Sequence, residues 1–363
     1  MTFITSNKWT RAGYGEALRK FILEKTTLQS YIDFNGEQVF ESATVDTSIT
    51  TFLKLPPTPS HQVAYLSCAD SSTLSSSKPD SIPQSSLSTQ TLTFSSSSAM
   101  ALKEKIESIG TPLKEWDITI NYGIKTGYNE AFIITTEKRE EILRNCKTQE
   151  EKEATEQIIK KMLRGRDIKR YSYEWADLWL IFIPWHFPNI QNPKTFEENE
   201  KDFQIKYPSL YSHFLTHKEK LSARNQDETG IRYEWYCMQR WASSYYQEFD
   251  KEKIIWAEMT KKSCFTFDKN QTMVNQTCYF FNHQSNKYLL GILNSKIIFY
   301  YMGQIASSLG EGAFRWIKQY VEKLPIPKIT EINQSTADKI IALVERILEQ
   351  KEQNPKADTS AQE

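Results

Sequence analysis

The spacing of apolar and polar residues changes several times along the chain. Thr2-Phe3-Ile4-Thr5-Ser6-Asn7-Lys8-Trp9 reads as the end of a buried strand entering a polar turn, and Arg11 to Glu24 as an amphipathic helix with Leu18, Phe21 and Ile22 on one face. Ser30 to Phe34 predicts a strand, Glu37 to Phe40 a turn, and Thr44 to Leu55 a further strand. Helix-then-strand spacing of this kind belongs to an α/β sheet. From Leu66 to Ser98 serine and threonine dominate, with prolines at 79 and 83, which predicts a flexible linker or long surface insertion.

Met100 to Ile109 predicts a short helix. Strands are expected at Trp116 to Ile120 and Ala131 to Ile134, with a glycine-bearing turn between them. Glu137 to Cys146 and Glu150 to Leu163 read as helices, the second on the spacing of Ala154, Ile158, Ile159 and Met162. Leu178 to Pro184 is a continuous apolar strand covered on both faces, and Lys194 to Leu221 a charged helix. Lys253 to Trp256 and Thr277 to Phe281 are strands, and Tyr288 to Tyr301 is an apolar helix in which Asn294 and Ser295 suit packing or capping. A helix over Ser335 to Gln350 precedes a polar tail expected to fray.

Forty-five acidic and forty-five basic residues give zero formal charge, so any nucleic-acid surface must come from local segregation of charge. Cysteines 68, 146, 237, 264 and 278 are odd in number and lack metal-ligand spacing, which predicts reduced thiols in a soluble cytoplasmic protein. His213 and His217 sit four apart on a predicted helix without a third ligand, so no metal site is expected. No apolar run reaches membrane-spanning length, and no signal peptide opens the sequence.

Candidate chemistry concentrates in three places. Gly123 to Phe132 sets two glycines four apart among Lys125, Thr126, Tyr128 and Asn129. As an ordinary loop, its glycines would only permit positive φ. As a ligand site, its lysine and short polar groups suit phosphate and base-edge contacts. A nucleotide cradle is disfavoured, because Ala131 to Ile134 is expected to continue as strand. Lys160, Lys161, Arg164, Arg166 and Arg170 form the densest basic cluster, readable as a solvated helix end or a phosphate-tracking surface. Asp167 within it is expected to anchor the loop, since a carboxylate facing phosphates would be repelled. Trp185 and His186 are expected to pack. Arg315, Trp316 and Lys318 follow a turn bearing Gly310 and Gly312 and form the third candidate.

An ordered set of segments carries a resemblance: Ile124 to Ile134, Leu163-Arg164-Gly165-Arg166-Asp167-Ile168, Lys253-Ile254-Ile255-Trp256-Ala257-Glu258, Leu289-Leu290-Gly291-Ile292-Leu293-Asn294-Ser295-Lys296 and Tyr320-Val321-Glu322-Lys323-Leu324-Pro325-Ile326-Pro327. It resembles the TaqI-like C-terminal specificity domain of adenine-specific DNA methyltransferases and type IIG restriction-modification enzymes. Residues 1 to 55 resemble the last part of the attached catalytic domain. The resemblance implies an α/β remnant of a Rossmann-like methyltransferase domain over 1–66, a serine-rich linker or insertion over 67–99, a mixed α+β target-recognition domain over 100–330, and a C-terminal helix with polar tail over 331–363.

It also implies roles. Phe40, within Val39-Phe40-Glu41-Ser42-Ala43-Thr44-Val45, would stack on a flipped adenine, with Thr5, Ser6 and Asn7 near that base pocket. The three cationic regions would contact duplex DNA. The family's Asn/Asp-Pro-Pro-Tyr/Phe tetrapeptide and S-adenosylmethionine turn lie upstream of the matched part. Here Leu55-Pro56-Pro57-Thr58 lacks both the amide or acid and the aromatic. The chain by itself is therefore expected to hold no complete catalytic site and no cofactor. S-adenosylmethionine and any nuclease would belong to the complete enzyme, and the partners would be duplex DNA and the N-terminal methyltransferase half. The alternatives are a non-catalytic DNA-specificity protein or a decayed gene fragment, and, less favoured, an RNA binder.

Overall fold

The computed structural model describes residues 1–34, 37–41, 45–68, 70–94, 97–306 and 312–363. The chain divides into two compact units, each built from three stretches of sequence. The first comprises Met1–Asp117, Met259–Ser263 and Gly291–Lys339, and the second Ile118–Glu258, Cys264–Leu290 and Ile340–Glu363. These boundaries differ from the linear succession expected from sequence, because distant segments return to complete each unit.

The first unit holds a five-stranded sheet of β1 (Thr2–Ser6), β2 (Thr27–Asp33), β3 (Thr47–Leu53), β4 (Gln62–Ser67) and β5 (Asp80–Pro83), in the order β1-β3-β2-β4-β5. Only β2 and β4 run parallel, and a bulge between Leu28 and Ser30 shifts the pairing of β2 with β3. β1 is an edge strand that leaves Phe3 and Ile4 exposed, not the buried strand expected. Helix α1 (Glu16–Lys25) buries Ile22 but leaves Leu18 and Phe21 46% and 55% exposed, so the expected apolar face is only partly covered.

The serine-rich stretch is built into this unit. β5 pairs with β4, Leu92 and Phe94 enter the core beside Ile22, Leu28, Tyr31 and Val63, and the Phe94 ring stacks on Tyr31 at 4.1 Å. Burying a ring of this kind contributes about 1.5–3 kcal/mol, which composition alone does not register. Arg19, only 1% exposed, donates to the carbonyls of Trp9, Ala12, Thr89 and Gln90. It thereby ties α1 to the same stretch, and burial lowers its pKa.

The second unit contains two four-stranded sheets. One runs Met273–Val274, Ile159–Leu163, Leu178–Ile181, Ile133–Thr135, and the other Phe265–Asp268, Lys253–Ala257, Cys278–Phe281, Asn121–Tyr122. The expected helix over Glu150 to Leu163 stops at Ile158. Ile159–Leu163 is a strand with partners on both flanks, so ladder pairing overrides a helical spacing that extended only through Met162.

Other expectations change as well. Trp116 to Ile120 is not a strand. Ala131 to Ile134 begins in the helical turn Asn129–Phe132 before becoming strand, which removes the reason given against a cradle. Lys194 to Leu221 breaks into Phe196–Lys206, Pro208–Leu215 and Lys218–Ala223, the second opening on proline. The apolar helix splits into Asn286–Leu293 and Lys296–Ile305 because the Ser295 side chain caps the latter, as its residue type suggested. The polar tail is docked: Thr359 is buried, and Glu363 lies 3.0 Å from Arg170.

Candidate nucleic-acid interface

The glycine turn is assembled from the backbone outward. A Cβ at Gly123 would lie 1.9 Å from the Asn275 carbonyl oxygen, so only glycine permits this approach. Ile124 N–H then donates to Val274 at 2.8 Å. Lys125 and Arg240 exchange both backbone hydrogen bonds, at 3.2 and 2.9 Å, and Gln239 N–H donates to the Thr126 carbonyl at 3.2 Å. Gly127 turns the chain at φ 82°, in the left-handed region.

Thr126 is 3% exposed, and its hydroxyl donates to the Asn129 side chain at 2.7 Å. It locks the turn and cannot reach a ligand, contrary to its expected contact role. Asn129 is exposed with its carboxamide oxygen occupied by that bond, and Tyr128 is half-buried, with Lys220 Nζ 5.7 Å from its ring centre.

Arg224 holds this turn from beneath. Its guanidinium donates to the carbonyls of Thr126, Leu221, Trp235 and Cys237, and no carboxylate pairs with it among the described residues. Burial pushes its pKa down to about 10, so it remains charged at neutral pH. Nothing in the local sequence distinguishes Arg224, or the exposed Arg240, since both depend on chain segments brought together only by folding.

The basic cluster separates into free and committed cations. Arg164 grips Asp167 with two hydrogen bonds of 3.0 Å, which raises its pKa, while Asp167 also accepts from the Arg164 backbone N–H at 2.8 Å. Asp167 thus anchors the loop from inside. Arg170 pairs with Glu363. Arg166 and Lys161 are exposed and Lys160 is half-buried, with Lys161 Nζ 4.8 Å above the Trp175 ring. Trp185 stacks on Tyr233 at 5.0 Å and donates to the Met238 carbonyl, the expected packing role. His186 turns to Glu234, with Nδ1 3.3 Å from the carboxylate.

The third candidate belongs to the first unit, whereas the glycine turn and basic cluster belong to the second. Gly310 lies outside the described residues. Trp316 is 1% exposed and faces Phe299, so it is a core residue and not a stacking surface. Arg315 is exposed on a short strand paired with Met259–Thr260, and Lys318 is half-buried.

Near the expected base pocket, Asn7 donates to Asp33 at 3.2 Å, Thr5 is exposed, and Ser6 caps the turn Asn7–Thr10. Asp46 beside them is buried, which raises its pKa. Phe40 is 39% exposed, whereas Ser42, Ala43 and Thr44 of its segment lie outside the described residues. Gly13 and Gly15 stand between β1 and α1, but a Cβ at Gly15 would meet the Trp9 carbonyl at 2.0 Å. Backbone thus fills the space beside Gly15, whereas a Cβ at Gly13 would meet only the Gln319 side chain at 3.8 Å.

His213 Nε2 lies 2.8 Å from the Ala131 carbonyl, and burial lowers its pKa. No group of three or more His, Cys, Asp or Glu is placed to hold a metal among the described residues, and no helix among them is long and apolar enough to cross a membrane.

Residues 160–326 match the TaqI-like C-terminal specificity domain, and residues 1–40 match the Eco57I restriction-modification methylase family. No curated protein matches the sequence. Among solved structures, the type IIL restriction-modification enzyme MmeI in complex with DNA is similar, with TM-score 0.56 and 13% identity, over 99% of this chain and 43% of that one. The type IIG restriction endonuclease BpuSI gives TM-score 0.41 and 13% identity over 95% and 42%. A nuclease-deletion mutant of the type ISP restriction-modification enzyme LlaGI gives 0.43 and 9% over 96% and 29%. The chain therefore spans less than half the length of each of these three structures. The MmeI likeness shows a shared fold, and the specificity-domain match covers residues 160–326 of this chain.

Proposed function

We propose that the chain is the target-recognition part of an adenine-N6 DNA methyltransferase or type IIG restriction-modification enzyme, acting on duplex DNA. The specificity-domain match over residues 160–326 carries this reading. Lys125, Lys160, Lys161 and Arg166 would neutralise phosphates and so supply affinity that falls with salt. Asn129 and Tyr128 would reach base edges from the glycine turn. On the same reading the first unit is the end of a Rossmann-like catalytic domain. Phe40 would stack on a flipped adenine, with Thr5 and Asn7 beside it.

S-adenosylmethionine would supply the methyl group from a catalytic part beyond these residues. The exposed Leu18 and Phe21, three apart on one face of α1, support a further protein segment covering that helix. The test is co-expression with the polypeptide encoded immediately upstream, followed by an assay for N6-methyladenine. Co-purification with site-specific methylation is expected. Duplex DNA binding without either result would favour a non-catalytic specificity protein, and no preference for duplex DNA over duplex RNA would overturn the proposal.

A further inference from the structure

We infer that Lys125 and Arg240 form a two-cation clamp on a single DNA phosphodiester, an inference that rests on the duplex-DNA reading and adds Arg240 to it. The two residues stand directly opposite each other in an antiparallel bridge, exchanging backbone hydrogen bonds of 3.2 and 2.9 Å. Residues so paired project to the same face, with Cβ atoms roughly 4.5–5.5 Å apart, and like charges in that position repel. No carboxylate lies within ion-pair distance of either among the described residues, whereas Arg164, Arg170, Lys253 and Lys287 in the same unit each have one. An unrelieved pair of like charges on fixed backbone, Arg240 exposed and Lys125 half-buried, is matched by one anion between them.

The backbone beneath the pair is rigidly specified. Gly123 is locked against Asn275, Gln239 N–H is bonded to the Thr126 carbonyl, and the Arg224 guanidinium holds that carbonyl from below. Arg240 therefore cannot drift from Lys125 without breaking the turn. A phosphodiester bridging the two side chains would fix the register of the turn on the duplex, with Asn129 two residues beyond Gly127 left to meet a base edge. Arg224 is a positioning residue for this clamp, acting through the Thr126 carbonyl.

The experiment uses the full 363-residue chain, with Lys125→Gln, Arg240→Gln and the double variant, and measures affinity for duplex DNA between 50 and 200 mM salt (approximate limits set by the range over which counterion release is steep). If both cations serve one phosphate, the double variant lowers the slope of log K against log salt by about 0.9. A fall of about 1.8, the value for two separate phosphates, or an unchanged slope, overturns the clamp. Equal losses on duplex RNA would overturn DNA as its source.

A second arm needs no nucleic acid. In low-salt buffer, inorganic phosphate should raise the melting temperature of the unsubstituted chain and not that of the double variant, while Lys125→Gln alone should not lower it. Equal phosphate response in both proteins overturns the clamp. If the unsubstituted chain fails to bind DNA but shows the phosphate difference, the DNA reading falls and the anion site stands.

Discussion

Each unit holds a buried or half-buried arginine satisfied by main-chain carbonyls, and the two do different work. Arg19 collects the carbonyls of Trp9, Ala12, Thr89 and Gln90 deep in the first unit, where an irregular serine-rich stretch must be closed over a sheet. Arg224 collects those of Thr126, Leu221, Trp235 and Cys237 below an exposed turn. Irregular chain leaves carbonyls without ladder partners, and a guanidinium carries five donors in a fixed fork. In the first unit that fork completes a core. In the second it fixes a surface, so its loss should be felt in recognition more than in folding.

Arg19→Met should have the largest effect, destabilising the first unit by about 4 kcal/mol, because several buried carbonyls lose their partner at once. Urea unfolding, with hydrogen exchange accelerated across residues 87–94, measures it; a loss below about 1 kcal/mol would mean the carbonyls find other donors. Arg224→Met should cost about 2 kcal/mol and speed exchange at the Gln239 amide. Arg224→Lys should restore stability better than affinity, because one ammonium cannot span four carbonyls. Equal loss of both in the lysine variant would make Arg224 purely structural.

A pH dependence separates the units further. His213 has its pKa lowered mainly by burial, so below about pH 6.5, its ordinary value, the unfolded chain binds a proton that the folded second unit does not. Stability should therefore be full above that pH and fall as pH drops toward the folded pKa, with the loss reduced in His213→Gln. Thermal melts between these conditions decide it, and a second unit more stable at pH 5.5 than at 7.5 (rough bounds on either side of the ordinary histidine value) contradicts the assignment. The smallest effect is expected on the face of α1: Phe21→Ser should change stability by no more than about 0.5 kcal/mol, since the ring is 55% exposed. A loss above about 1.5 kcal/mol would show that the ring is covered within the chain itself.

Much of the fold was legible in local pattern. The strands Thr27–Asp33, Thr47–Leu53, Lys253–Ala257 and Cys278–Phe281, and the helices Glu16–Lys25, Ser97–Ile109 and Thr136–Arg144, follow from periodicity and residue type. The errors have particular causes. The apolar spacing of Ala154, Ile158, Ile159 and Met162 made Ile159–Leu163 look like the end of a helix, while the strand form depends on Trp179–Ile181 and Met273–Val274 arriving on either side. Serines concealed Ile82, Leu92 and Phe94, whose burial depends on a core assembled elsewhere. Trp316 looked like an aromatic among cations, and only packing against Phe299 revealed its place.

By itself the sequence determined the glycine positions, the basic cluster, the anchoring role of Asp167 and the ordered segments that mark the specificity domain. Those properties are local, set by backbone freedom, charge and residue order. Tertiary structure alone decided which cations remain unpaired, because Arg164 and Arg170 meet carboxylates while Lys125 meets another cation, Arg240. It also decided that Thr126 locks the turn, and that Arg224, 98 residues away in sequence, supports it. Charge pairing and carbonyl satisfaction are set by distances across the fold, and a linear pattern carries no distances.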